Sequence, residues 1–388
     1  MTWLRERIER SVPARAIGLL RITVGTAALL KAAELAPVLA RFDDPTTLRI
    51  PYLTGLSVTD VGSVTLIVAW SLTAALFAIG ARTTVAGIGL TLILAGVLFS
   101  DQQLYSNHLY LLALLVGLVT AGRGGSAISV DAWLGRGRPT VPGWPQDLLR
   151  AQISIVYGFA ALAKLNAVYL SGTVVAAYLR RDGMLAIPDD WRVFEVMATI
   201  SVLSILSELF LAVALWLPRW RSAAFVLGLG MHVGIALFFD PPIQLWIFAL
   251  MMLPTYLLFL DAAPGSRALV WDDSCSFCGR TVRWLRRLDW LHVLDPIPSS
   301  NVAMREKLGI SQAQADEAVQ VVMRSTGRRV SGFEAVQRVL QVLPISFLWA
   351  PLLRLPPIMA LGSRAYRRVA ARRSCSIELR ASATKARV

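Results

Sequence analysis

The chain has 388 residues, 55% of them hydrophobic and only 16% charged, with a mean hydropathy of +0.57. A soluble domain carries roughly a quarter of its residues as charges, so this composition excludes a wholly soluble globular protein and suits a surface facing lipid. The net charge is +14, and from Arg267 onward 20 Lys and Arg stand against 9 Asp and Glu, so most of the excess lies in the last third. Basic charge beside many apolar segments reads as a surface for anionic headgroups, and no nucleic-acid partner is expected. Three cysteines are too few for a secreted disulfide framework. The Arg-rich start runs into a long apolar stretch with no small-residue cleavage pattern, which reads as a signal-anchor helix.

A membrane span needs about 20 mostly apolar residues. Eight segments are predicted as spans: 15–35, 62–82, 84–100, 108–122, 148–166, 196–217, 222–240 and 243–260. Basic residues favour the cytoplasmic side of a membrane. Arg5, Arg7, Arg10 and Arg15, then Arg82, then Arg123, Arg136 and Arg138, then Arg219 and Arg221 all fall on one side if the spans alternate. The opposite loops are poorer in basic residues; the 167–195 connection carries Arg180, Arg181 and Arg192 but also Asp182, Asp189, Asp190 and Glu195. Eight spans place the N-terminus and the C-terminal domain in the cytoplasm of a multi-pass cell-membrane protein, with the lipid bilayer as a partner.

Pro264 and Gly265 break the last span, so the predicted domains are 1–263 and 264–388. Beyond the break the pattern shifts to short elements: a strand at Ala268–Trp271, a basic amphipathic helix at Thr281–Leu288 and a strand at Leu291–Leu294. A polar helix at Gln312–Ala318 follows, then a hairpin of Val319–Met323 and Arg329–Ser331 around Thr326-Gly327, and a helix at Phe333–Val342. This order indicates a small α/β unit. The apolar stretch Leu343–Leu361 holds four prolines, which argues against a ninth span.

The sharpest local signal is Asp272-Asp273-Ser274-Cys275-Ser276-Phe277-Cys278, where a Cys-x-x-Cys pair follows a strand and opens a helix. At a helix N-terminus, unpaired N–H groups and the dipole favour a thiolate. Arg280, Arg283 and Arg286 add positive charge nearby. Cys275 is the expected nucleophile and Cys278 the resolving thiol. The pair could instead be half of a zinc site, but tetrahedral zinc needs two more ligands, and only His292 and Cys375 are available in this domain, unpaired in sequence; no metal is expected. A pair without turnover is the other alternative. Cys375 reads as a bystander or tail anchor.

The segment 268–375 resembles the DCC family of thiol–disulfide oxidoreductase-like proteins. Asp272, Cys275 and Cys278 match its Asp-x-x-Cys-x-x-Cys motif, and Ser331–Val336 and Arg364–Ala370 also look like that family. The resemblance implies a thioredoxin-like fold, a catalytic set of Cys275, Cys278 and Asp272, and an unknown thiol or disulfide partner. Where the family usually has glycine after the motif's aspartate this chain has Asp273, and no proline precedes Val319.

Ionisable residues inside spans are costly and raise a functional hypothesis by default. Lys31 and Glu34 lie three apart on the first span and could pair. Asn107 and His108 open the fourth, Lys164 ends the fifth with Asn166 after it, Glu208 lies in the sixth and His232 in the seventh. Alternation of the spans brings most of them towards one side, which suggests a shared polar cavity. Singly, Lys164 could snorkel to the interface, His108 could cap its helix, and Glu208 could satisfy a neighbour.

Residues from about 12 to 260 resemble the membrane domain shared with vitamin K-dependent γ-carboxylase, the horizontally transferred transmembrane domain. Ser106–Leu111, Gln152–Tyr157 and Ala163–Asn166 carry the likeness. It implies Lys164 as a base and His108 as its assistant, with a quinone or other lipid-soluble ligand left open as cofactor; the carboxylase's large β-rich region has no counterpart here. The expected fold class is an all-α multi-pass membrane domain of about eight helices plus a small α/β thioredoxin-like domain. The expected function is membrane-anchored thiol–disulfide exchange. One alternative is a membrane-embedded enzyme using Lys164 as general base; a second is a non-enzymatic membrane scaffold.

Overall fold

The computed structural model describes residues 10–52, 58–181, 194–240, 242–260, 263–350 and 352–385, with side chains described as far as residue 371 except at Pro242 and Leu348. Arg5, Arg7, Asp182, Asp189, Asp190, Arg192 and the Cys375 side chain lie outside the described residues. The chain forms two compact units, Met1–Phe259 and Leu260–Val388.

The first unit is helical: α1 (Ala14–Arg41), α2 (Ser63–Ile79), α3 (Thr83–Ser100), α4 (Asn107–Ala121), α5 (Trp144–Ala163), the short α6 (Ala167–Leu170) and α7 (Thr173–Tyr178), α8 (Phe194–Ala214), α9 (Arg221–Phe238) and α10 (Pro242–Met252). A 3₁₀ segment, Leu253–Phe259, prolongs α10. A helix lies over each predicted apolar segment. Four of them, α1, α3, α8 and α9, are long and apolar enough to cross a membrane; α2, α4 and the stretch Ile243–Phe259 are apolar but shorter. The unit is not purely α: β1 (Ser11–Pro13) pairs antiparallel with β2 (Thr140–Pro142), a ribbon too short to leave a periodic signature.

Helix α5 buries Leu149, Ile153, Tyr157 and Ala161, a spacing of four residues that lays them along one face. Arg21 is fully buried in α1 and donates to the Phe77 carbonyl at 2.9 Å and the Ile128 carbonyl at 2.5 Å. Those carbonyls belong to the last turn of α2 and to a loop, so one guanidinium ties three segments. Gly80, at φ +74° after α2, leaves room for it: a Cβ there would lie 2.0 Å from an Arg21 nitrogen. Asp131 caps α3, its Oδ2 accepting the Thr83 N–H at 2.8 Å.

The second unit runs β3 (Arg267–Trp271), α11 (Ser276–Leu288), β4 (Leu294–Pro298), α12 (Val302–Lys307), α13 (Gln312–Glu317), β5 (Gln320–Met323), β6 (Arg329–Ser331), α14 (Gly332–Leu340) and α15 (Pro356–Lys385). The sheet order is β4-β3-β5-β6, with β3 and β4 parallel and the other pairs antiparallel. Side chains alternate across a strand. Ala268, Val270 and Val322 therefore pack with Ile297, Ile310 and Ala315 on one face, while Leu269 and Trp271 face the other, towards α11, α14 and α15.

The second strand begins at Leu294 rather than ending there. Asp289 is buried and its carboxylate accepts the Val293 and Leu294 N–H groups at 2.9 and 2.8 Å, while His292 adopts a left-handed φ of +55°. Residues 289–293 thus form a turn. The strand continues through Pro296 and Pro298, which an edge strand accommodates because its outer N–H positions need no ladder partner. Pro356 and Pro357 open α15, where a missing N–H costs nothing.

Candidate functional site

The cysteines stand where β3 ends and α11 begins. Asp272 is buried, and its Oδ1 accepts the Ser274 N–H at 3.0 Å and the Ser274 hydroxyl at 2.6 Å. This Asx turn reverses the chain after the strand and delivers Cys275 as the N-cap of α11. The Cys275 Sγ accepts the Cys278 N–H at 3.5 Å, so sulfur takes the place of the usual capping oxygen. Both sulfurs are half-buried.

Asp272, Cys275 and Cys278 each offer a ligand atom, and these atoms lie within 4.8 Å of one another. Asp272 is thus a third candidate ligand beside the two sulfurs. With it the site offers three groups, enough for a metal that keeps an open position but one short of a closed structural zinc.

Asp273, adjacent to the motif, turns to the loop after β4. Its Oδ1 accepts the Ser299 hydroxyl and the Ser300 N–H, both at 3.0 Å, and its Oδ2 accepts the Ser300 hydroxyl at 2.7 Å. Partial burial pushes its carboxyl up, but the hydrogen bonds from Ser300 and Ser299 together outweigh that and hold it below the usual range.

In the helical unit the predicted polar residues form a distributed set. Lys164, at the C-terminal cap of α5, pairs with Glu208 of α8. His232 of α9 is buried, and its Nε2 lies 2.7 Å from the Tyr157 hydroxyl, seven residues before Lys164 on α5. Tyr157 also meets the Tyr256 hydroxyl at 2.5 Å. Among the described residues Glu208 Oε2 and His232 Nδ1 have no hydrogen-bond partner. His108 stacks on Phe248 with ring centroids 4.8 Å apart, and His232 meets the same ring at 5.3 Å, so Phe248 joins the two histidines. Lys31 pairs with Glu34 at 3.0 Å on α1. Asn107 stands apart: it is exposed and its Oδ1 accepts the Tyr105 hydroxyl at 3.2 Å.

The sequence alone assigns no role to Tyr157, Tyr256 or Arg21. Tyrosines are ordinary in apolar helices, and their hydroxyl partners come from distant positions. Arg21 had a signal, as the one arginine between Ile17 and Pro37.

An apolar helical unit with buried charges, joined to a mixed-sheet unit bearing a dithiol at a strand–helix junction, defines a membrane-associated protein of the thiol-redox class. Family comparison agrees: the HTTM domain model matches residues 9–263, and the DCC1-like thiol-disulfide oxidoreductase model matches residues 269–376. The chain belongs to the HTTM domain family and carries a DCC1-like thiol-disulfide oxidoreductase domain fused behind it. No curated protein and no solved structure matches the chain.

Proposed function

We propose that the protein is a membrane-anchored thiol–disulfide oxidoreductase in which Cys275 attacks and Cys278 resolves. The observation that carries this reading is the Cys278 N–H directed at the Cys275 sulfur at the start of α11. That N–H stabilises negative charge on the sulfur in the attacking form. The Cys275 thiolate displaces one sulfur of a partner disulfide as a thiolate. Cys278, deprotonated, then attacks the mixed disulfide at Cys275 and releases the second partner thiol. Asp272, beside both sulfurs, is the group placed to take the Cys278 proton. The partner gains two electrons and two protons, and Cys275 and Cys278 become a disulfide. The strand order β4-β3-β5-β6, with one parallel and two antiparallel pairs, supports the thioredoxin-like fold that this chemistry commonly uses. A helix over each of the eight apolar segments supports eight crossings of the cell membrane, and the arginines gathered in alternate loops support cytoplasmic termini.

The test is a redox titration of the full chain carrying Cys375→Ala in glutathione buffers, with Cys278→Ser as control. A reversible two-electron transition between about −120 and −270 mV is the expected result. No reversible disulfide, or stoichiometric zinc on the dithiol, would leave inert or metal-bound thiols and remove the reading.

A second reading places chemistry in the helices, with Lys164 as general base on a lipid-soluble, quinone-like substrate. It is favoured by the pairing of Lys164 with Glu208 of α8, and by Tyr157 on the helix that Lys164 caps, which meets His232 and Tyr256. Loss of activity in Lys164→Ala with an unchanged thiol titration would select it.

A further inference from the structure

The thiol domain contains a cavity of about 470 Å³ between the sheet, α11, α14 and α15. Ligand pockets run from about 300 to 1,000 Å³, so it is large enough to hold a small molecule. Its walls are almost entirely hydrocarbon. Leu269 and Trp271 form the floor, Val282 and Leu285 one side, and Val336 and Val339 the other. Cys278 and Asp272 stand in the same wall, which puts the reaction centre at the cavity's edge.

The roof is built rather than loosely draped. The Tyr366 hydroxyl of α15 accepts the Val319 N–H at 3.0 Å. Gly362 packs so closely on Phe333 that a Cβ would lie 2.1 Å from the ring. Two anchors one turn apart thus hold α15 over the cavity.

We propose that this cavity binds the hydrocarbon chain of a membrane lipid and that the bound chain covers Cys278. An apolar space this large is costly to leave dry, and its walls offer water few partners. A peptide would bring N–H and C=O groups that need hydrogen bonds, and walls of helix side chains do not supply them. A hydrocarbon chain needs none. The helical unit to which the domain is tethered supplies the source, since it is apolar enough to sit in a bilayer. The binding site stands independently of the redox reading; only its consequence for thiol access rests on that reading.

The experiment uses the full chain in lipid nanodiscs containing a phosphatidylcholine with a diazirine on its acyl chain, irradiated and mapped by mass spectrometry. Label is expected in 276–285, 333–340 or 362–370, and Ala365→Trp, which fills the cavity from α15, should lower it about tenfold. Val336→Trp fills it from the opposite wall and serves as the second variant, with circular dichroism to show that each folds. In Cys275→Ser/Cys375→Ala, alkylation of Cys278 should be at least fivefold slower in nanodiscs than in delipidated detergent, and Ala365→Trp should abolish that difference. Label in the helical unit is the expected background; within residues 264–388, label only outside those segments, or label there unchanged in both folded tryptophan variants, would overturn the proposal. Labelling is repeated with both Cys275 and Cys278 changed to Ser. Site-specific label alongside a failed redox titration sinks the oxidoreductase reading alone, and a working dithiol without label sinks the lipid site alone.

Discussion

Removing Lys164 should cost far more than removing Lys164 and Glu208 together. Glu208 is buried, its side chain only 8% exposed, and Lys164 is the cation paired with it. At contact distance and an effective dielectric near 20, a pair of unit charges is worth about 4 kcal/mol. Breaking a buried pair by deleting one partner typically costs about 3–5 kcal/mol, because the remaining charge stays desolvated. Lys164 is 27% exposed, and solvent screening places the expected loss for Lys164→Ala nearer 2–3 kcal/mol. The Lys164→Met/Glu208→Leu double variant removes both charges at similar volume and should fall within about 1 kcal/mol of the parent. The assay is equilibrium unfolding in mixed micelles at constant lipid content, run as a double-mutant cycle with Glu208→Leu. Additive losses, with the double variant the least stable, would show that the two groups do not form a buried pair and would refute the reasoning.

Asp289→Ala removes two charge-assisted hydrogen bonds to the turn before β4. It should destabilise the second unit by about 3 kcal/mol, read as faster amide exchange at Val293 and Leu294; unchanged exchange would show that the turn holds without it. The Asp273 carboxyl is held below its usual range by Ser300 and Ser299, so the stability it adds is complete above the unfolded value near 3.9 and is lost as pH falls through the folded value. Asp273→Asn should therefore flatten the acid limb of an unfolding profile below about pH 4, and an identical slope in both proteins would remove Asp273 as its source.

The parts of this protein visible in its sequence are those specified by neighbours in the chain. The run from Asp272 to Cys278 encodes its own geometry: a strand end, an aspartate that folds onto Ser274, and a cysteine in the capping position. Apolar length alone marked where the helices lie. What stayed hidden depends on long-range contacts. The bridge from His232 through Tyr157 to Tyr256 joins residues 75 and 99 positions apart. β4 lies further along the chain than the apolar run Leu291–Leu294 suggests, because its prolines mask a strand and Asp289 makes a turn before it. α15 is hard to see because the four prolines of Leu343–Leu361 argue against a span there, whereas Pro356 and Pro357 occupy the first turn of a helix.

The Lys164–Glu208 pair also bears on which unit does chemistry. A buried ion pair contributes little net stability compared with apolar residues of the same shape, and a charged pair in an apolar helical bundle is costlier to place than one in water. If the double variant is as stable as the parent, the pair is not held for stability. Its neighbourhood then matters: one Glu208 oxygen and one His232 nitrogen are buried without hydrogen-bond partners among the described residues. Tyr157 has a single hydroxyl proton to share between His232 and Tyr256. A set of groups that can pass a proton but is incompletely satisfied suits a ligand better than a structural brace. The dithiol site reaches its geometry from seven consecutive residues, whereas this set requires three helices and the 3₁₀ segment after α10. Thiol chemistry is therefore separable by substitution at 275 and 278, and any chemistry in the helices by substitution at 164 and 157, each leaving the other unit's fold in place.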